Sequence, residues 1–248
     1  MIRTVLWVLL FSVSACKLSK SGYLTAQEVI DASIAASGGA LYKNHETSFF
    51  FRDRRYISTI KNGKKILKRV TFSDTLKITD VKTGDGFERF FNDTLMVLPD
   101  SVSTRYANSV NSVHYFARLP YGLNDFAVNK ELIGEVDLDG KKYYKVKITF
   151  DQEGGGADFD DVYLYWINKE TFKPDFLAYE FHVDGGGFRF RKAYNERFVS
   201  GIRFVDYENY KPRERFANLM RIDSLFEAGG LELLSKIELS VIKVTKID

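Results

Sequence analysis

Residues 46–72 read ETSFFFRDRRYISTIKNGKKILKRVTF, and this stretch decides the fold. Asn62-Gly63 separates two segments rich in aromatic and β-branched residues, and this dipeptide is the strongest short signal for a two-residue hairpin turn. We therefore predict one long strand over residues 46–60 that returns over residues 64–72. The sheet thus starts with an antiparallel hairpin and not with a strand–helix–strand crossover.

Strand-like segments separated by turn residues continue along the chain. Helical spacing of apolar residues predicts a first helix over 26–37, which a capping box of Thr25 and Glu28 opens, and an inserted helix over 101–118. Further strands are predicted at residues 76–82, 86–91, 94–98, 132–138, 141–150, 161–167, 176–183, 187–194, 201–210 and 235–245, with a short third helix at 218–227.

These elements predict a mainly β protein with covering helices, in the α+β class. About ten strands would form a single large antiparallel sheet, and strand and helix do not alternate as a parallel sheet requires. A sheet of this size must curl, and the two longer helices can cover its concave face. We expect a half-open barrel that forms a single globular domain over residues 25–248.

The N-terminus predicts export. Arg3 precedes the apolar run 4–11, which is too short to span a bilayer, and small residues follow it. Val13 to Cys16 read VSAC, which resembles the lipobox of bacterial lipoproteins. The resemblance implies a signal peptide over 1–15 and a lipidated Cys16 followed by a tether over 16–24.

Cys16 is the one cysteine in the chain, so an intramolecular disulfide is excluded. Acyl chains on Cys16 would hold the protein on a membrane. In well-studied Gram-negative systems Asp after the cysteine retains a lipoprotein at the inner membrane, so Lys17 favours the outer membrane, facing the periplasm. A net charge of +3 over 248 residues is too balanced to indicate a nucleic-acid partner.

Two glycine triplets, residues 154–156 and 185–187, lie beside carboxylates. Each falls between two predicted strands, which favours a hairpin connection whose glycines supply positive φ. Neither triplet precedes a helix whose amides could hold a phosphate. A calcium site and an anion nest remain as alternatives. The candidate calcium ligands are Glu153, Asp158, Asp160, Asp161 and Asp184.

The histidines and arginines offer few chemical motifs. Three scattered histidines, without a zinc-binding spacing, predict neither a metal site nor a cofactor, and His114 is interpreted as a hydrogen-bonded helical residue. The arginines of three predicted strands either form an ion-paired sheet face or an anion-binding rim. Those arginines are Arg52, Arg54, Arg55, Arg189, Arg191 and Arg203.

Aromatic residues occupy both faces of the predicted strand 161–167. If the helices cover the sheet incompletely, an aromatic cavity for an apolar ligand results, and if they cover it fully, these residues are only core. The candidate ligand-binding residues are Arg52, Arg54, His114, Tyr115, Trp166, Arg189, Arg191 and Arg203.

Four sequence blocks resemble an uncharacterised family of exported lipoproteins from Gram-negative bacteria. They are residues 51–56 (FRDRRY), 106–125 (YANSVNSVHYFARLPYGLND), 152–167 and 188–212 (FRFRKAYNERFVSGIRFVDYENYKP). The element order is similar to that of the periplasmic lipoprotein carriers LolA and LolB, whose open barrel is covered by helices. This resemblance implies an architecture and transfers no functional residue.

Three functions follow as hypotheses. The first is a membrane-anchored, non-catalytic protein that binds a lipid or another apolar ligand in the half-open barrel. The second is a structural lipoprotein with a filled core that binds an envelope protein partner. The third is an envelope enzyme, whose site would combine His114 and Asp53 with Arg52, Arg54 and the carboxylates at the glycine triplets.

Overall fold

The computed structural model describes residues 24–155, 159–182, 185–214 and 217–247. The signal peptide, Cys16 and most of the tether lie outside this part of the chain, as do Asp158 and Asp184. The helices are α1 (Ala26–Ala36), α2 (Asp100–Ala117) and α3 (Ile222–Glu227). The strands are β1 (His45–Phe51), β2 (Arg54–Lys61), β3 (Lys64–Ser73), β4 (Leu76–Lys82), β5 (Phe87–Phe91), β6 (Thr94–Leu95), β7 (Val128–Leu138), β8 (Lys141–Phe150), β9 (Val162–Asn168), β10 (Pro174–Phe181), β11 (Gly187–Val199), β12 (Ile202–Pro212), β13 (Leu231–Ile237) and β14 (Leu239–Lys246).

The strands form two antiparallel sheets of seven. Sheet A has the order β14-β1-β2-β3-β4-β5-β6 and sheet B the order β13-β12-β11-β10-β9-β8-β7. Glu238 alone separates β13 from β14, so the chain passes directly from the edge of one sheet to the edge of the other. The predicted class is confirmed: a mainly β, half-open antiparallel barrel with covering helices.

A buried carboxylate holds the junction of the two sheets. The regular pairing of β12 with β13 ends at Tyr207 and Ile237, and Asp206 Oδ1 then accepts the backbone N–H of Leu239 at 2.8 Å. Arg197 donates to the same oxygen at 2.8 Å and to the Leu239 carbonyl at 2.6 Å. Side-chain hydrogen bonds thus replace the backbone hydrogen bonds between strands at the point where the two sheets separate, because buried backbone groups need partners.

The described residues contain two strands more than the twelve segments predicted above, because two of these segments are each divided. Residues 46–60 form β1 and β2 around a turn at Arg52 and Asp53, where Arg52 adopts a φ of 56°. Residues 235–245 belong to β13 and β14. The part of the chain that the structure describes therefore has fourteen strands in two sheets, and not about ten in one. The hairpin at Asn62-Gly63 is confirmed, with Lys61 paired to Lys64.

Helix α2 lies between the two sheets. His114 Nε2 is 3.0 Å from the Lys68 carbonyl of sheet A, and the Tyr115 hydroxyl is 2.7 Å from that of Tyr165 in sheet B. Phe116, which follows them, also belongs to the main apolar core. The helix therefore fills the concave side of the barrel with its own side chains.

A second, smaller core covers the other face of sheet B. Trp166 and Phe190 pack there against Ile222 of α3. Tyr165, the neighbour of Trp166 in β9, belongs to the main core because successive strand residues point to opposite faces. The prediction that this strand is apolar on both faces is thus confirmed. Gly154 and Gly155 lie in the β8–β9 connection and Gly185 and Gly186 in the β10–β11 connection, as expected, whereas Gly187 begins β11 and pairs with Phe181.

Candidate functional site

Four partly exposed aromatic rings form a continuous row on the inner face of sheet B, which we call the aromatic ladder. Tyr163 of β9 and Tyr179 of β10 are paired across the strands, with ring centroids 5.2 Å apart. Phe150 extends the row at 5.7 Å from Tyr163, and Phe181 extends it at 6.0 Å from Tyr179. Their partial exposure leaves apolar surface available for a ligand.

Two arginines of β11 lie on the aromatic ladder. Arg191 donates a hydrogen bond to the Tyr179 hydroxyl at 3.0 Å, and its guanidinium also lies 5.1 Å from the centroid of the Phe116 ring. Arg189 lies over the ring of Phe181 at 4.7 Å. Among the described residues neither arginine forms an ion pair, so their positive charge is held by neutral hydrogen-bond partners and aromatic faces.

The turn between β1 and β2 approaches this surface from sheet A. The Arg52 guanidinium lies 5.2 Å from the centroid of the Phe51 ring, which meets Phe116 edge-on at 5.6 Å. Arg52 and Arg191 therefore lie on either side of one aromatic pair, although they are 139 residues apart in the sequence. A continuous series of aromatic contacts thus links three of the predicted ligand-binding arginines, Arg52, Arg191 and Arg189.

The barrel interior behind the aromatic ladder is packed. Tyr115 and Tyr165 share a hydrogen bond there, and burial raises the pKa of both hydroxyls. Two grooves of about 250 Å³ each lie elsewhere, and no ladder residue lines either of them. Tyr115 therefore supports the aromatic ladder from beneath, through its hydrogen bond to Tyr165 and its edge-on contact with Tyr163.

His114 is more deeply buried than the sequence indicates. Only 1% of its surface is exposed, between the rings of Phe49 and Tyr56. Its Nε2 donates to the Lys68 carbonyl, as expected for a hydrogen-bonded helical histidine. Burial lowers its pKa to about 3, so the ring is neutral near pH 7. Asp53 is exposed on the β1–β2 turn, so these two candidates for an enzyme site do not meet in one pocket.

Trp166 lies on the face of sheet B opposite the aromatic ladder. Its indole N–H donates to Asp223 Oδ2 at 3.1 Å, and the same oxygen accepts from Lys145 at 2.6 Å. Lys145 also donates to the Met220 carbonyl at 2.6 Å. Sequence analysis missed this buried ion pair, because a lysine at an inward strand position has no distinguishing local pattern.

Arg203 also lies apart from the other arginines. It is buried, and its Nε donates to Glu196 at 2.5 Å while its Nη2 donates to the Pro174 carbonyl at 3.2 Å. Asp175 is a further carboxylate at 3.8 Å. Arg203 thus corresponds to the ion-paired alternative and does not reach the rim that Arg189 and Arg191 form.

The glycine connections bring some of the candidate metal ligands together. His182 Nδ1 is 3.6 Å from a carboxylate oxygen of Asp160 and equally far from one of Asp161. One ligand atom from each of these three residues lies within 4.8 Å of the others. Glu153 is exposed and is not part of this group. Asp158 and Asp184 are outside the described residues.

Three charged residues of sheet A form a network that sequence analysis did not predict. Arg69 of β3 pairs in register with Asp80 of β4, which pairs with Arg89 of β5. The Asp80 carboxylate accepts four hydrogen bonds from the two guanidiniums, at 2.6 to 3.0 Å. Arg54, Arg69 and Arg89 all line one of the two grooves of about 250 Å³. Charged residues at inward positions of three consecutive strands were the available signal.

Residues 50–239 match the family of unknown function DUF6503, and the chain belongs to this family. The expected kinship with an uncharacterised family is thus confirmed. Among curated protein sequences, no significant match to the chain was found. No helix of the described residues is long and apolar enough to cross a bilayer.

Several solved structures are similar in fold at low sequence identity. A DUF1329 family protein from Desulfovibrio piger is 13% identical, with 88% of this chain and 92% of that chain covered and a TM-score of 0.49. A LolA superfamily protein from Nitrosomonas europaea is also 13% identical, over 91% of this chain and 94% of that one, with a TM-score of 0.47. A domain from Vibrio parahaemolyticus, named for outer membrane lipoprotein sorting, is 8% identical over 89% and 93%, with a TM-score of 0.47.

Proposed function

We propose that this protein is an exported envelope lipoprotein, anchored through Cys16, that binds a lipid or another apolar ligand without catalysis. The observation that carries this proposal is the aromatic ladder, whose partly exposed rings adjoin Arg189 and Arg191. Aromatic surface offers burial to an apolar ligand, and the arginines offer charge to its polar end. Because α2 fills the interior, the ligand lies along the ladder and not deep inside the barrel.

Native mass spectrometry of the full chain, extracted from Gram-negative cells in a mild detergent, tests this binding. We expect a discrete added mass that organic solvent removes, and we expect less of it for Tyr179→Ser. Phe198→Ser serves as the control, since Phe198 is exposed outside the aromatic ladder. A bare protein mass for the wild type, or equal added mass in all three proteins, would contradict the proposal.

The anchor and the location rest on residues 1–17. We propose lipidation of Cys16 and residence at the outer membrane, facing the periplasm. Metabolic labelling with radioactive palmitate tests the anchor, and Cys16→Ser is expected to abolish the label and to move the protein into the soluble fraction. Lys17→Asp, in the chain that keeps Cys16, is expected to shift the protein from the outer-membrane towards the inner-membrane fraction, and an unchanged distribution would contradict the outer-membrane assignment.

A second candidate function is the binding of an envelope protein partner. The packed interior favours it, and so do exposed apolar side chains of β13 and β14. These side chains are Leu233 at 50% exposure, Leu234 at 45% and Val241 at 62%. These residues flank the place where the two sheets separate. A photoreactive residue at position 233 is expected to yield a discrete crosslinked product in cells, whereas the same residue at the exposed Phe72 is not.

A further inference from the structure

A groove lies between helix α2 and the inner face of sheet A, and we call it the arginine groove. Its volume is about 250 Å³. It contains three guanidinium groups, one phenol ring and two aliphatic hydroxyl groups, and no carboxylate lines it within the described part of the chain. The lining residues are Arg54, Arg69, Thr71, Ile78, Arg89, Tyr106 and Ser109.

The positive charge of the arginine groove exceeds the negative charge beneath it. Asp80 is almost fully buried and neutralises only one of its two partners, Arg69 and Arg89, whose side chains are 4% and 11% exposed. Arg54 adds a second excess charge, since its contact with Asp53 is a 3.7 Å approach between two exposed neighbours. Pairs of that kind are weak because water screens them.

The arginines are also held in place. Arg69 Nη1 donates to the Ser109 hydroxyl of α2 at 2.8 Å, and the Arg89 guanidinium stacks 3.5 Å from the centroid of the Tyr106 ring. Asp80 fixes the other edge of both guanidiniums. A fork of donors that is fixed before binding loses little entropy when it meets an anion.

We propose that the arginine groove is a binding site for a tetrahedral oxyanion, either a free phosphate or the phosphate of a lipid head group. Guanidinium groups bind phosphate through paired, charge-assisted hydrogen bonds. Inorganic phosphate carries between one and two negative charges near pH 7 and a phosphodiester head group carries one, so two excess positive charges can neutralise either anion. The site shares no residue with the aromatic ladder, so it can exist whether or not the ladder binds an apolar ligand.

Isothermal titration of the full chain in a non-ionic detergent with inorganic phosphate tests the site. We expect saturable binding that Arg54→Gln weakens about tenfold or more, because one charge-assisted contact contributes that much. Thr71→Glu, which adds a carboxylate to the lining, is expected to abolish binding. Arg54 and Thr71 are partly or well exposed, so neither change leaves a buried group unpaired.

Arg55→Gln is the matched control. Arg55 follows Arg54 in β2 and points to the opposite face of the sheet, so phosphate affinity is expected to stay within about twofold of the wild type. Circular dichroism checks that all variants keep the fold. Absence of binding by the wild type to both inorganic phosphate and the phosphatidylglycerol probe of the next titration would overturn the proposal, as would equal affinities of the Arg54→Gln and Arg55→Gln variants.

A second titration distinguishes the two sources of the anion. Dihexanoyl phosphatidylglycerol, used below its micellar concentration, is compared with dihexanoyl phosphatidylcholine and with inorganic phosphate. Tighter and Arg54-dependent binding of phosphatidylglycerol supports a lipid head group, and Arg54-dependent binding of phosphate alone supports a free anion. Arg54-independent binding of every probe would overturn the site, and the test of the aromatic ladder would be unaffected.

Discussion

Two buried networks, one on each sheet, differ in their charge balance. On sheet B, Lys145 and Asp223 form a one-to-one ion pair, which the Trp166 indole and the Met220 carbonyl complete by hydrogen bonding. On sheet A, Asp80 faces two guanidiniums. The first network is closed under α3, and the second opens onto the arginine groove.

This difference separates a structural role from a binding role. In a balanced buried pair each charge mainly avoids the penalty of being unpaired, so the pair has a structural role and needs no ligand. A network with excess positive charge beside a groove favours the approach of an anion. Charged residues of similar type thus have different roles on the two sheets, and the net charge of each network distinguishes these roles.

The largest expected effect is that of Asp80→Asn. It removes the carboxylate shared by Arg69 and Arg89. We expect the free energy of unfolding to decrease by an amount near the upper end of about 3–5 kcal/mol. Chemical denaturation measures this loss. If the arginine groove binds phosphate, phosphate at about 100 times its dissociation constant should restore up to about 2.7 kcal/mol. No recovery would break the contrast between the two networks.

Asp223→Asn is the matched change on sheet B. It leaves Lys145 buried without its carboxylate, and we expect a loss towards the lower end of about 3–5 kcal/mol because a single cation is affected. Denaturation in the presence of phosphate is expected to show the same loss as denaturation without it. Recovery of stability by phosphate here would show that the anion effect is not specific to the arginine groove.

His114 provides a smaller, pH-dependent effect. Its pKa is about 3 in the folded protein and about 6.5 when unfolded, so the unfolded chain binds a proton first as the pH falls. Stability is therefore lost below about pH 6.5, by about 2 kcal/mol at pH 5 relative to pH 7.5. His114→Leu should reduce the difference in stability between these pH values by that amount. An unchanged pH profile would contradict the neutral, buried ring.

The smallest expected effect is that of Asp137→Asn. Asp137 pairs with Lys142 at 3.0 Å, but both side chains are at least 70% exposed. Exposed pairs contribute little because water and salt screen them, so we expect a change below about 0.5 kcal/mol. Thermal denaturation checks this, and a loss comparable to that of Asp80→Asn would remove the distinction between buried and exposed pairs.

Local sequence signals predict several elements well. The capping box of Thr25 and Glu28 is present, with the Thr25 hydroxyl accepting from the Glu28 amide. The inserted helix was predicted over 101–118 and spans Asp100–Ala117. These signals work because capping, helical periodicity and two-residue turns involve groups only a few positions apart.

Other elements depend on longer-range interactions. The turn at Arg52 and Asp53 lacks the glycine that normally signals a positive φ, so the sequence concealed it within one apparent strand. The candidate sites show the same limit. Arg189 and Arg191 were correctly placed in one predicted strand, whereas Arg203 and Trp166 contact partners that lie far away in the sequence.

The sequence by itself determined that this protein is mainly β, antiparallel and covered by helices. It could do so because the periodicity of strands and helices depends only on residues that are close together in the sequence. It also identified the uncharacterised family to which the chain belongs. Only the tertiary structure decided that α2 fills the barrel and that Arg69, Asp80 and Arg89 meet beneath it. The physical reason is that strand register and the seating of a helix depend on contacts between distant segments, which no local pattern encodes.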